Sequence, residues 1–359
     1  MNEFEGRVFH FVYNYWDYSG ATQQSIKLAK QCDGKVFFIN SQKSNSFFYS
    51  TVDDGKKVID VPSLLPLRLL TLLYIFIVKV NKSDVCHFHG FHNIPLFIAC
   101  LLSRTCFLKC TLEGVDDLES LKTRNPMFLK YILKKVKFIN SLNKKILEIN
   151  KKSLMCNEDK LIVIPNGVEI QDVDDNLSYQ RDCFICVGAV IPRKNVKEVI
   201  EYYVENYLSS ELPLYIIGPA DPSMAEFCDT YYKECLLLVE KYNKKVFIVG
   251  SKNKQQLYDY YRRAIAMLFF SHKEGTPNVV LEAISFNCPI IYRNEDEVVG
   301  WILSGGGIKG LTYDVVPSLQ YLNQISKSGD LRERALDFDI KVIAMKTKKM
   351  YSDMVGEEL

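Results

Sequence analysis

Short runs of β-branched and aromatic residues alternate along this chain with longer segments whose apolar residues recur every three or four positions. Residues 7–13 read as a first strand, and Ser19-Gly20-Ala21-Thr22 opens a helix running to 31. Further strands are predicted at 35–40, 84–89 (ending in Gly90), 107–111 (ending in Glu113-Gly114) and 160–164, the last stopped by Pro165-Asn166-Gly167. An acidic string at 169–182 reads as a linker. A second series then starts: strands at 182–187, 214–217 and 246–249 end at Gly188, Gly218 and Gly250, with helices predicted at 196–208, 224–243 and 254–264. A strand at 266–270, a helix at 278–286 and a strand at 289–292 complete it. Such alternation means parallel sheets covered by helices. The expectation is an α/β chain of two Rossmann-like, doubly wound domains facing across a cleft: 1–168, then 183–337, with 338–359 as a closing helix. Ligands of such sheets bind beyond the carboxyl ends of the strands.

The most apolar stretch, 64–80, is shorter than the ~20 residues of a membrane-spanning helix and contains Pro66 and Arg68. It is expected to be a packed or interfacial helix with Lys79 and Lys82 at its far end. The first residues are acidic and no apolar leader segment follows, so a cytoplasmic protein without a signal peptide is expected. Eleven cysteines, most inside apolar runs, suit buried reduced thiols. Cys183 and Cys186 would point to opposite faces of one strand, a poor geometry for a metal clip or redox pair.

With 359 residues, 48% hydrophobic, the chain has the composition of a two-domain globular protein. A net charge of +2 excludes a globally basic nucleic-acid binder, yet it hides an asymmetry. Residues 1–170 carry 23 Lys and Arg against 16 Asp and Glu, and the remainder carries 22 against 27. Most of the basic excess lies in 122–152, where ten basic residues face one acid, Glu148. That stretch is either a solvated helix face or a surface for anionic lipid headgroups.

Candidate chemistry concentrates in Glu274-Gly275-Thr276-Pro277-Asn278-Val279-Val280-Leu281-Glu282-Ala283, which follows a strand and opens a helix. Thr276 can cap, Pro277 suits the first helical position, and the free N–H groups behind them attract an anion. Glu274 and Glu282 flank that helix start as hydrogen-bond acceptors. The set suits a ligand with phosphates in its middle and hydroxyls at both ends, such as a nucleotide sugar.

This segment resembles the E-x7-E signature of the retaining GT-B glycosyltransferases of family 4. Ile164-Pro165-Asn166-Gly167-Val168 is similar to the family's "PNGV". Residues 184–194 resemble the opening of its C-terminal domain, and Tyr215-Ile216-Ile217-Gly218 and Val246-Phe247-Ile248-Val249-Gly250 resemble two later strand ends. The resemblance implies metal-independent transfer of a sugar from a UDP- or GDP-linked donor to an acceptor hydroxyl, with no cofactor. It implies that Glu282 accepts from the ribose, that Glu274 accepts from the transferred sugar, and that Gly275 to Asn278 present backbone N–H groups to sugar and diphosphate. Lys194 would stabilise the departing diphosphate. Gly188 and Gly20 would approach the donor.

Two departures stand out. The family's arginine after the strand glycine is Ala189 here, and Arg193, four residues on, has the reach to substitute. Glu113 stands where a histidine is usual, and it either meets a substrate hydroxyl or caps its own loop. His87-Phe88-His89-Gly90 resembles the strand end of metal-dependent hydrolases, but further ligands from later strands would be needed. No metal is expected, and His89 is read as a cleft residue facing the acceptor. Asp172-Val173-Asp174 is read as solvated charge in the linker. The expected acceptor is a lipid-linked glycan of bacterial O-antigen or capsule synthesis, handled by a peripheral protein at the inner membrane face. A nucleotide-sugar epimerase and a non-catalytic partner subunit on the same fold are the alternatives.

Overall fold

In the computed structural model the apolar runs become strands buried on both faces, as a helix-covered parallel sheet requires. The structure describes residues 4, 6–16, 19–31, 36–44, 49–53, 55–124, 126–153, 155–171, 180–222, 224, 226–304, 311–312 and 314–356. Asp172-Val173-Asp174 lies outside these residues. Two units emerge, Met1–Gly167 with Ile340–Leu359, and Val168–Asp339.

The first unit runs β1 (Val8–Val12), α1 (Gly20–Lys30), β2 (Val36–Ser44), β3 (Tyr49–Asp53), β4 (Lys56–Pro62) and α2 (Leu65–Tyr74). A π-helical turn, Ile75–Lys79, extends α2. Next come β5 (Val85–His89), α3 (Asn93–Leu101), β6 (Thr105–Cys110), α4 (Leu118–Arg124), α5 (Pro126–Lys135), β7 (Phe138–Ser141), α6 (Lys144–Lys152) and β8 (Leu161–Val163). The sheet order is β3-β4-β2-β1-β5-β6-β7-β8, parallel except for the antiparallel β3–β4 hairpin. The sequence pattern passes over β3, β4 and β7. The hairpin mixes polar residues among its apolar ones and turns at Gly55 (φ +76°), and β7 is only four residues long.

The two faces of this sheet differ. On one, Phe9, Phe11, Phe88 and Leu108 pack beneath α2, α3, α5 and α6 in a continuous apolar core. The opposite face carries His10, His87 and Lys109 among its buried residues, beside Val8 and Phe107.

The second unit runs β9 (Cys183–Val187), α7 (Val196–Tyr207), β10 (Leu214–Ile217), α8 (Asp229–Lys241), β11 (Val246–Gly250), α9 (Lys254–Arg263) and β12 (Ala264–Phe269). It continues with α10 (Asn278–Ser285), β13 (Ile290–Tyr292), α11 (Glu297–Leu303), β14 (Leu311–Thr312), α12 (Leu319–Ser328) and α13 (Asp330–Leu336). Its order, β11-β10-β9-β12-β13-β14, is the doubly wound 3-2-1-4-5-6 arrangement, with β9 as its first strand. Cys183 and Cys186 face opposite cores of this sheet, as the strand period requires. The helix expected from 224 begins at Asp229. The chain then returns to the first unit as α14 (Ile340–Gly356), whose Tyr351 hydroxyl lies 2.6 Å from His87 Nδ1.

Glycine at 218 is a steric requirement. Its φ is +156°, and a Cβ built there would lie 2.0 Å from the Gly188 carbonyl oxygen. Strands β9 and β10 therefore leave the sheet in close backbone contact, which fixes the course of the loop after Gly188.

Candidate active site

Where the strand order of an open parallel sheet reverses, the loops leaving the two flanking strands diverge and open a crevice. In the second unit that point lies between β9 and β12. The loop after β9 carries Gly188, Arg193 and Lys194, and the loop after β12 carries Glu274 through Pro277, leading into Asn278 at the start of α10. The structure brings the two together. Lys194 Nζ donates to Glu274 Oε1 at 2.5 Å, Ser271 Oγ donates to the same oxygen at 2.6 Å, and Arg193 Nη1 lies 3.4 Å from it. Burial raises the Glu274 pKa, but Lys194, Ser271 and Arg193 outweigh that effect and hold it below its ordinary 4.5. Glu274 is thus an ionised carboxylate whose bonds among the described residues gather on one oxygen.

Lys194 owes its place to local backbone geometry. Pro192–Lys194 form a short 3-10 turn, and Asn195 follows in the left-handed region at φ +54°, ψ +39°. Asn tolerates this conformation better than other side-chain-bearing residues. The stem of Lys194 lies over Gly188, with Cδ 3.5 Å from where a Cβ would sit. Arg193 is held differently. Its Nε and Nη2 form a two-pronged contact with Glu226 at 2.7 and 3.1 Å. Burial lowers its pKa, but Glu226 and Glu274 more than offset this and the net shift is upward. Neither Ser271 nor Glu226 is marked by a linear motif, because each becomes a partner only through the fold.

At α10 the structure corrects one expectation. The N-cap is Pro277, with no side-chain cap bond from it, so Thr276 is not the cap and Pro277 is not the first helical residue. Gly275, Thr276 and Pro277 are buried, and Asn278 is partly exposed. Glu282 lies in the second turn, partly exposed, and accepts from the Tyr261 hydroxyl at 3.3 Å. Tyr261 belongs to α9, so a neighbouring helix fixes this carboxylate.

In the first unit the reversal lies between β1 and β5. Gly20 is the first residue of α1, behind Ser19 at the N-cap. Glu113 pairs with Lys145 at 3.0 Å, in a loop held by Asp116, which accepts from Thr111 and Leu112 backbone N–H groups at 2.8 Å. His89 is not a surface residue facing an acceptor. It is buried, with Nε2 2.8 Å from His10 Nδ1 and its ring stacked 4.0 Å from that of His87. His10 is thus the third histidine that the His87-Phe88-His89 pattern lacked, brought alongside because β1 pairs with β5 in the register His10↔His87. Ring nitrogens of the three lie within 4.8 Å of one another. Burial, assisted by Lys109, holds His10 down to about 3 and His87 and His89 well below 6.5, so all three rings are neutral. Lys109, itself lowered to about 8 by burial, donates to Asn166 at 2.9 Å. A neighbouring ammonium opposes a dication, which makes this cluster a polar core.

Residues 169–334 match the family model "Glycosyl transferases group 1". The second unit is a group 1 glycosyl transferase domain. Among curated proteins, the chain is 24% identical over 238 residues to the capsular polysaccharide biosynthesis glycosyltransferase CapH of Staphylococcus aureus, covering 62% of this chain and 63% of that one. It is also 24% identical to the UDP-Gal:alpha-D-GlcNAc-diphosphoundecaprenol alpha-1,3-galactosyltransferase of Escherichia coli, covering 94% of each. A Streptococcus pneumoniae alpha-galactosylglucosyldiacylglycerol synthase is 28% identical, over 60% of this chain and 61% of that one. The matched region spans just under two thirds of the first and third relatives. Among solved structures, Anabaena HepE in complex with UDP and glucose superposes with a TM-score of 0.68 at 14% identity, covering 97% of this chain and 100% of that one. Sucrose-phosphate synthase of Thermosynechococcus elongatus gives 0.72 at 14%, covering 98% and 100%. The GT-B neighbours agree with the α/β fold read from the sequence.

Proposed function

We propose that this protein transfers a sugar from a UDP-linked donor to a hydroxyl of a lipid-linked or polysaccharide acceptor, with retention at the anomeric carbon. One observation carries the reading: a partly buried, ionised Glu274 held by Lys194, Ser271 and Arg193 at the strand-order reversal, directly ahead of the N-terminus of α10. Backbone N–H groups at that helix start and the Lys194 ammonium supply positive charge where a diphosphate leaves. Glu274 accepts from hydroxyls of the transferred sugar and Glu282 from those of the ribose. In the transfer, the bond from C1 to the diphosphate oxygen breaks and its electron pair stays with the diphosphate. The acceptor oxygen bonds to C1 on the same face, and its proton passes to the departing phosphate. No step requires a metal or cofactor.

The acceptor class and the choice of UDP rest on the relatives. One is named for a diphosphoundecaprenol acceptor and a UDP-linked galactose, another for a diacylglycerol glycolipid, and HepE was solved with UDP. A capsule setting is supported by the name of the Staphylococcus aureus relative.

The test is a thermal-shift panel of UDP-galactose, UDP-glucose, GDP-mannose and ADP-glucose. A UDP-sugar at a hundredfold excess over its Kd should stabilise the protein by about 2.7 kcal/mol. Glu282→Ala should abolish that shift, and Lys194→Ala should slow transfer by about 10²–10³-fold while leaving the fold intact. Stabilisation by none of the four donors, or full transfer activity in both variants, overturns the reading.

A further inference from the structure

The helix α2 with its π-helical extension is apolar at all but Arg68, Thr71 and Lys79, yet it lies on the surface. One stripe (Thr71, Leu72, Ile75, Phe76) is buried against the sheet. The opposite stripe faces solvent: Leu65 is 55% exposed, Leu70 63%, Ile77 59% and Val78 57%, with Leu69 and Tyr74 beside them. A surface helix of a globular protein is ordinarily polar on its outer side, and a contiguous apolar patch there marks an interaction surface. We propose that this face docks onto, and inserts its side chains into, the headgroup region of an anionic phospholipid bilayer.

Charge selects the occupant. From 61 to 83 the sequence has no acid but contains Arg68, Lys79 and Lys82. Tyr74 and Lys79 also line a cavity of about 100 Å³ together with Lys57 and with Arg7, which Asp84 neutralises, so Lys79 and Lys57 supply the positive charge at the far end of the helix. The core beneath α2 is shared with α3, α5 and α6, which puts these helices on one face of the sheet. Beyond α2 this helical layer exposes Leu101 and Met127 and then Lys130, Lys134, Lys135 and Lys144. An apolar strip bordered by lysines is the composition of an interfacial anchor.

Length excludes insertion across the bilayer. The ten α-helical and five π-helical residues extend about 22 Å at 1.5 Å each, against a hydrocarbon core of ~30 Å. No helix among the described residues is long and apolar enough to cross a membrane. The helix therefore lies in the plane of the interface with its outer stripe down. This surface is independent of the transfer reaction, although it would bring the enzyme to a lipid-linked acceptor.

The test is co-sedimentation with large vesicles, either of equal parts phosphatidylglycerol and phosphatidylcholine or of phosphatidylcholine alone. The wild type should sediment with the anionic vesicles and bind the neutral ones at least tenfold more weakly. The double variant Leu70→Asp/Ile77→Asp alters only solvent-facing side chains. It should lose tenfold or more of the partition coefficient at unchanged melting temperature and unchanged transfer to a water-soluble acceptor. Replacing Lys130, Lys134 and Lys135 by Gln should weaken binding and its salt dependence, each basic residue counting for about fivefold. Wild type that stays in solution with anionic vesicles, or a double variant that binds as well as wild type, overturns the proposal. So does a concentration-dependent dimer, abolished by the double variant, in protein that ignores vesicles. Loss of transfer without loss of vesicle binding would count against the proposed function and leave this surface standing.

Discussion

The two units are built on the same winding and put their polar chemistry in different places. The second keeps both faces of its sheet apolar and carries its charged groups in the loops beyond β9 and β12. The first buries His10, His87, His89, Lys109 and Asn140 within the sheet itself, on the side opposite its apolar core. A polar group in a loop can exchange partners for a ligand at little cost. One buried in a sheet is committed to its neighbours, since a buried group without a partner costs about 1–3 kcal/mol. The second unit therefore looks equipped for binding and turnover, and the first for a fixed, pH-sensitive interior.

The comparison breaks first at Lys194. Lys194→Ala should lower kcat by about 10²–10³-fold, the size seen when one preorganised stabilising group is removed. Steady-state kinetics and an unchanged melting curve would distinguish this from unfolding. Gly218→Ala tests the frame instead of the chemistry. With Cβ forced to 2.0 Å from a carbonyl oxygen, it should cost about 3 kcal/mol or more in urea denaturation.

The pH response separates the units most directly. The four histidines of the first unit stay neutral when folded: burial holds His10 at about 3 and His92 at about 4, and pushes His87 and His89 well below 6.5. Unfolded, each takes up a proton near 6.5. Their contribution is therefore complete above pH 6.5 and falls as the pH drops toward the folded values, by about 2 kcal/mol per ring at pH 5. Trp16 lies in the first unit and Trp301 in the second, and the chain has no other tryptophan. Fluorescence of Trp301→Phe protein should show acid-weakened unfolding of the first unit, while Trp16→Phe protein should show a second unit much less affected. Equal acid sensitivity in both would erase the distinction.

Smaller effects sharpen it further. Arg193→Gln should cost only about tenfold in kcat/KM, because its guanidinium already has Glu226 as a partner. Asn195→Gly should change stability by less than about 1 kcal/mol, since φ +54° suits both residues.

The contrast also explains what the sequence made legible. Glu274, Lys194 and the strand-ending glycines Gly188, Gly218 and Gly250 were visible because loop chemistry depends on neighbours a few residues apart. Fold class and the second series of strands followed from apolar runs long enough to show a period. His10 was invisible as a partner because it meets His87 only through a β1–β5 register across 77 residues, and Glu226 reaches Arg193 from a segment with no periodicity. The burial of His89 is not legible because a His-Gly strand end says nothing about which way the ring points. The lysines of 122–152 show their charge in the sequence, whereas the exposed apolar stripe of α2, on the same face of the sheet, does not. Its outer stripe cannot be told from its inner one by composition.

The return of the chain at α14 has a consequence for synthesis. Residues 168–339 form one continuous insertion, bounded by the Val168 N–H donating to the Phe338 carbonyl at 2.8 Å. On the ribosome the second unit is complete while the first still lacks the helix whose Tyr351 meets His87. The later-synthesised unit is thus complete first, and until α14 emerges, α1 covers the histidine side of the earlier sheet without the Tyr351 partner of His87.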